Sequence, residues 1–287
     1  MTPNHRTAVM GILNITPDSF SDGGRFESTE TAFRATKRMA AQGADLIDLG
    51  AQSTRPGASD VGAEIELERL LPVLQRLQQA RLDGDLPAKL LFSIDTFLAP
   101  VAAACLDAGA DWINDVSGGL GDLQMWQLVA ERGCPYVLMH RRGNARTMNS
   151  LAHYGDVVAE VEAELLQLCE QAQQAGVQRQ QIVLDPGIGF AKTTQHNLEL
   201  MQGLPRLQAL GYPLLVGTSR KRFIGEVLNE PRARARLWGT AATVCQAVAA
   251  GVAVVRVHDV GPIVQTCRMA EALFKPNAAS RAPQTLA

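Results

Sequence analysis

Residues 182–192 read IVLDPGIGFAK, a short apolar strand that runs into the carboxylate of Asp185. Pro186 ends the strand, because proline has no N–H to donate to a β-ladder. Gly187 and Gly189 then allow the backbone to come close to a bound group. Asp-Pro-Gly is also a common surface turn, so this stretch alone leaves open both a functional carboxylate and a simple turn.

Similar short apolar runs recur along the chain without polar alternation, which is typical of parallel strands buried on both faces. Helical segments separate them, including one that Asp122 is expected to cap. We predict strands at residues 8–13, 46–49, 90–94, 112–113, 136–139, 182–184, 214–216 and 252–257. Eight strand–helix units predict an α/β protein that forms a single-domain (β/α)8 TIM barrel, with a doubly wound open sheet as the alternative.

Composition narrows the classes of function. The chain has 287 residues, of which 46% are hydrophobic and 20% charged, a balance that supports one large core. A net charge of -2 gives no electrostatic reason to expect nucleic acid or an anionic membrane as a partner. The five cysteines are scattered, which is typical of a reducing compartment and not of a zinc site or a disulfide framework. The polar N-terminus lacks a signal-peptide pattern, so we expect a cytoplasmic protein.

Nearly every predicted strand leaves its apolar run through a polar residue. In a barrel these strand ends lie at one face, where the active sites of this fold are found. Any single member could be a cap or a turn residue, but buried polar groups need partners, so the whole set indicates a binding site. The set comprises Asn14, Asp48, Asp95, Asn114, His140, Asp185, Ser219 and His258.

Two cations follow or lie within the last two strands. Lys221 follows the seventh strand, and Arg256 lies inside the apolar eighth strand, on the same face as His258 two residues later. The seventh and eighth units of such barrels commonly hold phosphate, so an anionic ligand is the favoured partner of Arg256. A structural ion pair with Asp48 or Asp259 is the alternative. These residues together predict a barrel enzyme that holds a polar heterocycle between carboxylates, beside a phosphate group.

Eight motifs follow one another in order along residues 9–273. They are MGILNITPDSFSDGG (10–24), STRPGA (53–58), SIDT (93–96), INDVSGG (113–119), LMH (138–140), LDPGIGFAK (184–192), SRK (219–221) and RVHDV (256–260). Each is unspecific alone, but the ordered set closely resembles the dihydropteroate synthase family of pterin-binding barrels.

The resemblance implies a reaction. The enzyme would join para-aminobenzoate to 6-hydroxymethyl-7,8-dihydropterin diphosphate and release 7,8-dihydropteroate and diphosphate, in folate biosynthesis. It also implies a Mg²⁺ cofactor, a homodimer and a family whose members are the target of sulfonamides. The pterin-binding barrel would span residues 1–275, and we expect residues 276–287 to form a disordered tail.

The resemblance also assigns roles to the predicted site residues. Asp95, Asn114, Asp185 and Lys221 would line the pterin pocket, and Asp95 and Lys221 would take part in catalysis. Asp95 would stabilise a cationic pterin methylene that forms when the C–O bond breaks ahead of attack. The aniline nitrogen is already nucleophilic, so no activated side-chain nucleophile is required.

The remaining roles concern the diphosphate, the metal and the aminobenzoate. By resemblance, Asn14 would contact the Mg²⁺ that accompanies the diphosphate. The other residues assigned to substrate are Arg256, His258 and the backbone of Val257 for the diphosphate, Thr54 and Arg55 in a closing loop, and Ser219 near the aminobenzoate.

The chain departs from the family pattern near three of these segments, and one departure is Arg141-Arg142 directly after the LMH motif. Gln52 stands where many bacterial members have Glu, and Arg222 stands where Ser is frequent. Arg222 would either help to bind the aminobenzoate anion or face solvent.

Three alternatives stay open: a methyltetrahydrofolate methyltransferase barrel, a pterin-binding paralogue without catalysis, and a Schiff-base aldolase that uses Lys221. The methyltransferase has no diphosphate to hold, so it does not account for the cations of the eighth strand and the second loop. The aldolase leaves the carboxylates and the amide at the strand ends unexplained.

Overall fold

The computed structural model describes residues 6–15, 25–52 and 61–274, with the side chains of residues 25–27 excepted. The predicted loop residues Thr54 and Arg55 and the predicted tail 276–287 lie outside these ranges.

Eight parallel strands in the described residues form one sheet in the order β6-β5-β4-β3-β2-β1-β8-β7. A parallel bridge between Leu184 and Leu214 joins β6 to the segment that leads into β7, and this bridge closes the sheet. The strands are β1 Ala8–Asn14, β2 Leu46–Gly50, β3 Leu91–Asp95, β4 Trp112–Asp115, β5 Tyr136–Met139, β6 Ile182–Asp185, β7 Leu215–Val216 and β8 Val254–Val257. The predicted (β/α)8 barrel is confirmed, and the open-sheet alternative is wrong.

The helices cover the outside of the barrel and follow the predicted order. They are α1 Arg25–Ala41, α2 Ala63–Leu82, α3 Ala99–Asp107, α4 Met125–Arg132, α5 Val157–Gln174, α6 Thr194–Gln202, α7 Leu204–Gln208, α8 Arg222–Leu228, α9 Leu237–Ala249 and α10 Val260–Phe274. Asp122 does not cap α4, because the helix begins three residues later at Met125. Its carboxylate instead accepts hydrogen bonds from the backbone N–H groups of Gln124 and Ala99, which tie the β4–α4 loop to the start of α3.

The barrel interior is built in two layers that follow from strand alternation. The lower layer is apolar and consists of Ala8, Met10, Leu46, Trp112, Val137, Val183, Leu215 and Val254. Side chains two residues further along a strand point to the same face, so the next layer lies towards the carboxyl ends of the strands. This layer contains Asp48, Ser93, Asn114, Asp185 and Arg256. The barrel therefore has an apolar floor and a polar layer at the face where active sites of this fold lie.

Two further expectations concern the cysteines and the membrane. All five cysteines are free thiols, and four of them are buried, as expected for small apolar residues. In the part of the chain that the structure describes, no helix is long and apolar enough to cross a membrane.

Candidate active site

Arg256 connects three strands in the polar layer. Its Nε donates to Oδ2 of Asp48 at 2.6 Å, and its Nη2 donates to Oδ2 of Asp95 at 2.6 Å. The amide nitrogen of Asn114 donates to the same Asp48 oxygen at 3.0 Å. We call these four residues, Asp48, Asp95, Asn114 and Arg256, the mouth cluster. The predicted alternative of an ion pair with Asp48 is thus present, whereas Asp259 pairs with Arg220 through two hydrogen bonds.

Two carboxylates share one guanidinium in this cluster, and burial sets their electrostatics. Desolvation raises the pKa of Asp95 to about 7, Arg256 limits the rise, and the nearby charge of Asp48 adds to it. Burial opposes the charge of Arg256, but Asp48 and Asp95 outweigh it and raise the pKa of the guanidinium. The cluster therefore has more acceptor capacity than its single cation uses.

Three buried polar atoms at this face have no hydrogen-bond partner among the described residues: Asp48 Oδ1, Ser93 Oγ and Gln52 Nε2. Asp48 and Ser93 are direct neighbours in the register of β2 and β3. Most buried polar atoms in folded proteins are paired, so this concentration indicates a face that receives a ligand or water.

Asp185 ends β6 as predicted and is held by the turn that follows it. Its Oδ1 accepts from the backbone N–H of Gly187 at 2.7 Å. Gly187 has a φ of 67°, and a Cβ at this position would lie 2.0 Å from the carbonyl oxygen of His140, so only glycine fits. Burial raises the pKa of Asp185, and Lys221 opposes the rise. The turn and the buried carboxylate are therefore parts of one feature.

Lys221 lies at the start of α8 and reaches the turn after β6. Its Nζ donates to the carbonyl of Ile188 and lies 4.8 Å from the centre of the Phe190 ring. Burial lowers the pKa of Lys221 to about 8, and Asp185 opposes this effect. A cation and a half-buried aromatic ring thus lie beside the carboxylate of β6.

The ends of β7 and β8 are joined by a hydrogen-bonded pair. The backbone N–H of His258 donates to Ser219 Oγ at 3.1 Å, and the His258 Nδ1 lies 3.0 Å from the same oxygen. Val257 is buried in the layer between the barrel and its helices. Asn14 ends β1 opposite Gly50 of β2 and is half-buried. By alternation with Met10, its side chain points to the inside of the barrel mouth.

A second network lies beside the turn after β6, and His140 is the one member that the predicted set of strand-end residues included. Lys192 Nζ lies 2.9 Å from His140 Nδ1 and donates to the Phe190 carbonyl at 3.0 Å. The other ring nitrogen of His140 lies 2.9 Å from Glu164 Oε2, and Glu164 also pairs with Arg142. We call these residues, His140, Arg142, Glu164 and Lys192, the flank cluster. Two sequence signals pointed to it: His140 at the exit of the fifth strand and Lys192 at the end of the motif LDPGIGFAK.

Burial sets the pKa values of His140 and Lys192, the two buried members of the flank cluster. It lowers the pKa of His140 to about 4, so the ring is neutral near pH 7. A neutral ring that donates from Nε2 to Glu164 can accept from Lys192 at Nδ1, which fixes the tautomer. Burial also lowers the pKa of Lys192 to about 7.

The predicted site residues that the structure describes thus converge on one barrel mouth. The acceptors Asp95, Asn114 and Asp185 lie at the ends of β3, β4 and β6, with the cations Lys221 and Arg256 beside them. Carboxylates and an amide oxygen suit a planar heterocycle whose edge carries N–H groups, and the cations suit an anion.

Comparisons with known proteins agree with this geometry. A family model described as pterin binding enzyme matches residues 10–258. The dihydropteroate synthase of Synechocystis is 49% identical over 270 residues, which cover 94% of this chain and 91% of that protein. The Xanthomonas albilineans dihydropteroate synthase, solved with 4-aminobenzoic acid, has a TM-score of 0.85 and 41% identity and covers 96% of this chain and 95% of that one. The same protein solved with 7,8-dihydropteroate has a TM-score of 0.82 and 38% identity, with 96% of each chain covered. The chain therefore belongs to the pterin-binding enzyme family that includes the dihydropteroate synthases.

Proposed function

We propose that this protein is a dihydropteroate synthase. It transfers the pterin methylene of 6-hydroxymethyl-7,8-dihydropterin diphosphate to the amino group of para-aminobenzoate. The observation that carries the proposal is the acceptor-rich polar layer around Arg256 at the barrel mouth. Similarity to named dihydropteroate synthases over nearly the whole length of both chains supports the same activity.

The pterin ring would lie above the polar layer. Asp95, Asn114 and Asp185 present acceptors from β3, β4 and β6, and an amino-pyrimidinone edge carries the matching N–H donors. Lys221, beside Asp185, would donate to a ring acceptor and interact with the pterin face together with Phe190.

The diphosphate would lie over the β7 and β8 ends. Arg256, His258 and the backbone of Val257 come from β8 and the residue after it, and Ser219 holds His258 in place. Cationic and N–H donors at this position would stabilise the negative charge that develops on the leaving oxygen. Arg256 would then exchange its contact with Asp95 for one with the substrate.

Asn14 is the residue that we assign to Mg²⁺. Among the described residues, no group of three or more His, Cys, Asp or Glu side chains is arranged to hold a metal. Mg²⁺ commonly binds through one or two protein oxygens together with substrate phosphates and water, so a single inward-facing amide at the end of β1 fits such a site. The ion would neutralise part of the diphosphate charge.

The reaction requires no covalent bond between enzyme and substrate. The C–O bond to the diphosphate breaks and its electron pair leaves with the diphosphate. The aniline nitrogen forms the new C–N bond and loses one proton. The carboxylate of Asp95, close to the pterin, would stabilise positive charge on the methylene carbon, and Thr54 and Arg55 would help to keep water from it.

Diphosphate release is the direct test. We expect purified protein to release diphosphate only when dihydropterin diphosphate, para-aminobenzoate and Mg²⁺ are all present. Release without para-aminobenzoate would indicate a hydrolase. Pterin binding without turnover would favour the paralogue without catalysis, and methyl transfer from methyltetrahydrofolate would favour the methyltransferase.

We further propose a cytoplasmic homodimer. Several apolar side chains on α8, α9 and α10 are exposed, among them Val227, Trp238, Met269 and Phe274. A second copy that covers such residues would remove apolar area from water. We expect light scattering to give about twice 30.9 kDa for the protein and a lower mass for Trp238→Glu. An unchanged monomeric mass in both would contradict the dimer.

A further inference from the structure

We infer that Asp48 is a positioning residue that orients the amide of Asn114 and remains the counterion of Arg256 when substrate binds. This inference rests on the proposed function and deepens it, because it determines which ligand edge the site accepts. Asp48 is fully buried in β2 and lies below the mouth, so it acts through the residues above it.

The orientation of the Asn114 amide follows from hydrogen bonding. Asp48 Oδ2 receives Arg256 Nε at 2.6 Å and the Asn114 nitrogen at 3.0 Å. The oxygen that accepts from Arg256 is an acceptor, so the amide nitrogen and not the amide oxygen faces it. The reversed amide would place two acceptor oxygens against each other inside the barrel.

This orientation makes Asn114 an acceptor towards the ligand. With its nitrogen held by Asp48, its Oδ1 is the atom that can meet a bound ring. Asp95, Asn114 and Asp185 then all present acceptors. The site thereby selects a heterocycle that carries donors along its edge, such as an exocyclic amino group beside a ring N–H, and disfavours one with a carbonyl at that position.

Asp48 and Asp95 lie at different depths in the barrel, and this difference gives them different roles at Arg256. Gly50 pairs with Asp95 at the ends of β2 and β3, whereas Asp48 pairs with Ser93 two residues earlier. Two residues along a strand correspond to about 6.6 Å, so Asp48 lies one layer below Asp95. A ligand that enters the mouth meets Asp95 first. Asp48 therefore stays with Arg256 and keeps its charge compensated while Asp95 changes partner.

Ligand selectivity is the measurement that separates positioning from stability. We would titrate the protein with 6-hydroxymethylpterin and with 6-hydroxymethyllumazine, in which a carbonyl replaces the 2-amino group. In Asp48→Asn the Asn114 amide is free to reverse and can donate to that carbonyl. We expect pterin affinity to fall about 10- to 100-fold and the preference for pterin over lumazine to narrow about tenfold, since each hydrogen bond to a charged group contributes about 1.5–3 kcal/mol.

The matched control is Asp111→Asn. Asp111 also pairs with an arginine, Arg81, at 3.1 Å and accepts from the backbone of Phe92, but it lies before β4 at the opposite end of the barrel. We expect this variant to keep both affinities. Asp48→Ser, which removes the charge without adding volume, replaces Asp48→Asn if that variant does not fold.

The outcomes are distinct. A preference for pterin in the Asp48 variants within twofold of the unaltered protein would overturn the inference while leaving the proposed function intact. Equal loss in the Asp48 and Asp111 variants would also overturn it, because charge removal alone would then explain the result. Failure of the unaltered protein to bind pterin would overturn the proposed function and this inference together.

Discussion

The mouth cluster and the flank cluster each combine buried and half-buried polar residues around one arginine, yet their hydrogen-bonding groups are satisfied to different degrees. In the flank cluster both ring nitrogens of His140 and both oxygens of Glu164 have partners, and Lys192 contacts two acceptors. In the mouth cluster two carboxylates share Arg256, and Asp48 Oδ1 has no partner among the described residues. A saturated network fixes a scaffold, whereas surplus acceptors prepare a site for a ligand.

The positions of the two clusters agree with this difference. The flank cluster joins the loop after β5 to the turn after β6, and Arg142 stacks over the Tyr154 ring at 3.9 Å. Lys192 also holds the Phe190 carbonyl, which keeps the turn beside Asp185 in shape. The mouth cluster instead faces the interior of the barrel. We therefore expect changes in one cluster to affect mainly stability and changes in the other to affect mainly catalysis.

Truncating the two arginines should give the largest contrast. Arg256→Ala leaves Asp48 and Asp95 without their shared cation and removes a diphosphate ligand. We expect kcat/KM for dihydropterin diphosphate to fall about 1,000-fold, the equivalent of about 4 kcal/mol, because a donor to the leaving oxygen is lost. Arg142→Ala should lower the melting temperature but keep kcat/KM within about threefold.

Steady-state kinetics with thermal unfolding of both variants measures this contrast. A similar loss of kcat/KM in the two variants would show that the flank cluster takes part in catalysis. A loss limited to melting temperature in Arg256→Ala would make its ion pairs structural and contradict its role in holding the diphosphate.

The sequence alone predicted the features of the two clusters that depend on the pattern of neighbouring residues. Short apolar runs predicted the strands, and the polar residue at each exit placed Asp95, Asn114 and Asp185 at one face. Alternation would also have turned Asp48 inwards, since Leu46 two residues earlier belongs to the barrel floor. Arg256 was identified without strand alternation, because a charged residue inside an apolar strand is unusual.

The remaining features depend on contacts between distant segments. Arg256 reaches Asp48 and Asp95 only because β8 pairs with β1, which places it two and three strands away from β2 and β3 in the sheet. The contact between Lys192 and His140 spans 52 residues and has no local pattern. Which acceptors share one cation is therefore known only from packing.

The two clusters should respond to pH in opposite ways, because one buried group in each has a shifted pKa. The pKa of Asp95 is raised from 3.8 to about 7, and that of Lys192 is lowered from 10.5 to about 7. Between pH 4 and 7 folded Asp95 binds a proton that the unfolded chain has lost, so its contribution to stability falls as pH rises. Between pH 7 and 10.5 the unfolded chain binds the Lys192 proton and the folded one does not, so this contribution rises.

Denaturant titrations across this range test the opposite signs. In the unaltered protein, Asp95 makes the unfolding free energy fall as pH rises from 4 to 7, and Asp95→Asn should abolish this fall. Lys192 makes the unfolding free energy rise between pH 7 and 10.5, and Lys192→Met should abolish this rise. Each slope is at most about 1.4 kcal/mol per pH unit. Pterin affinity should increase through pH 7 in the unaltered protein and in Lys192→Met, and should lose this step in Asp95→Asn. If the increase in pterin affinity through pH 7 is lost in Lys192→Met and kept in Asp95→Asn, the group that controls binding is Lys192 of the flank cluster.

The smallest effect is expected at Arg222, which lies outside both clusters. Its side chain is 71% exposed, and its Nε lies 3.1 Å from Glu226 one turn later in α8. Exposed pairs at this spacing contribute about 0.3–0.5 kcal/mol, so Arg222→Ser should change the unfolding free energy by about that amount. Since the guanidinium faces solvent, KM for para-aminobenzoate should stay within twofold, and Arg222→Lys serves as the charge-preserving control. A rise of fivefold or more in Arg222→Ser, reversed in Arg222→Lys, would mean that this cation holds the aminobenzoate carboxylate. The ligand-binding region would then extend from the mouth cluster to the first turn of α8. Solvent exposure of a charged side chain would then no longer indicate that it has no role in binding in this barrel.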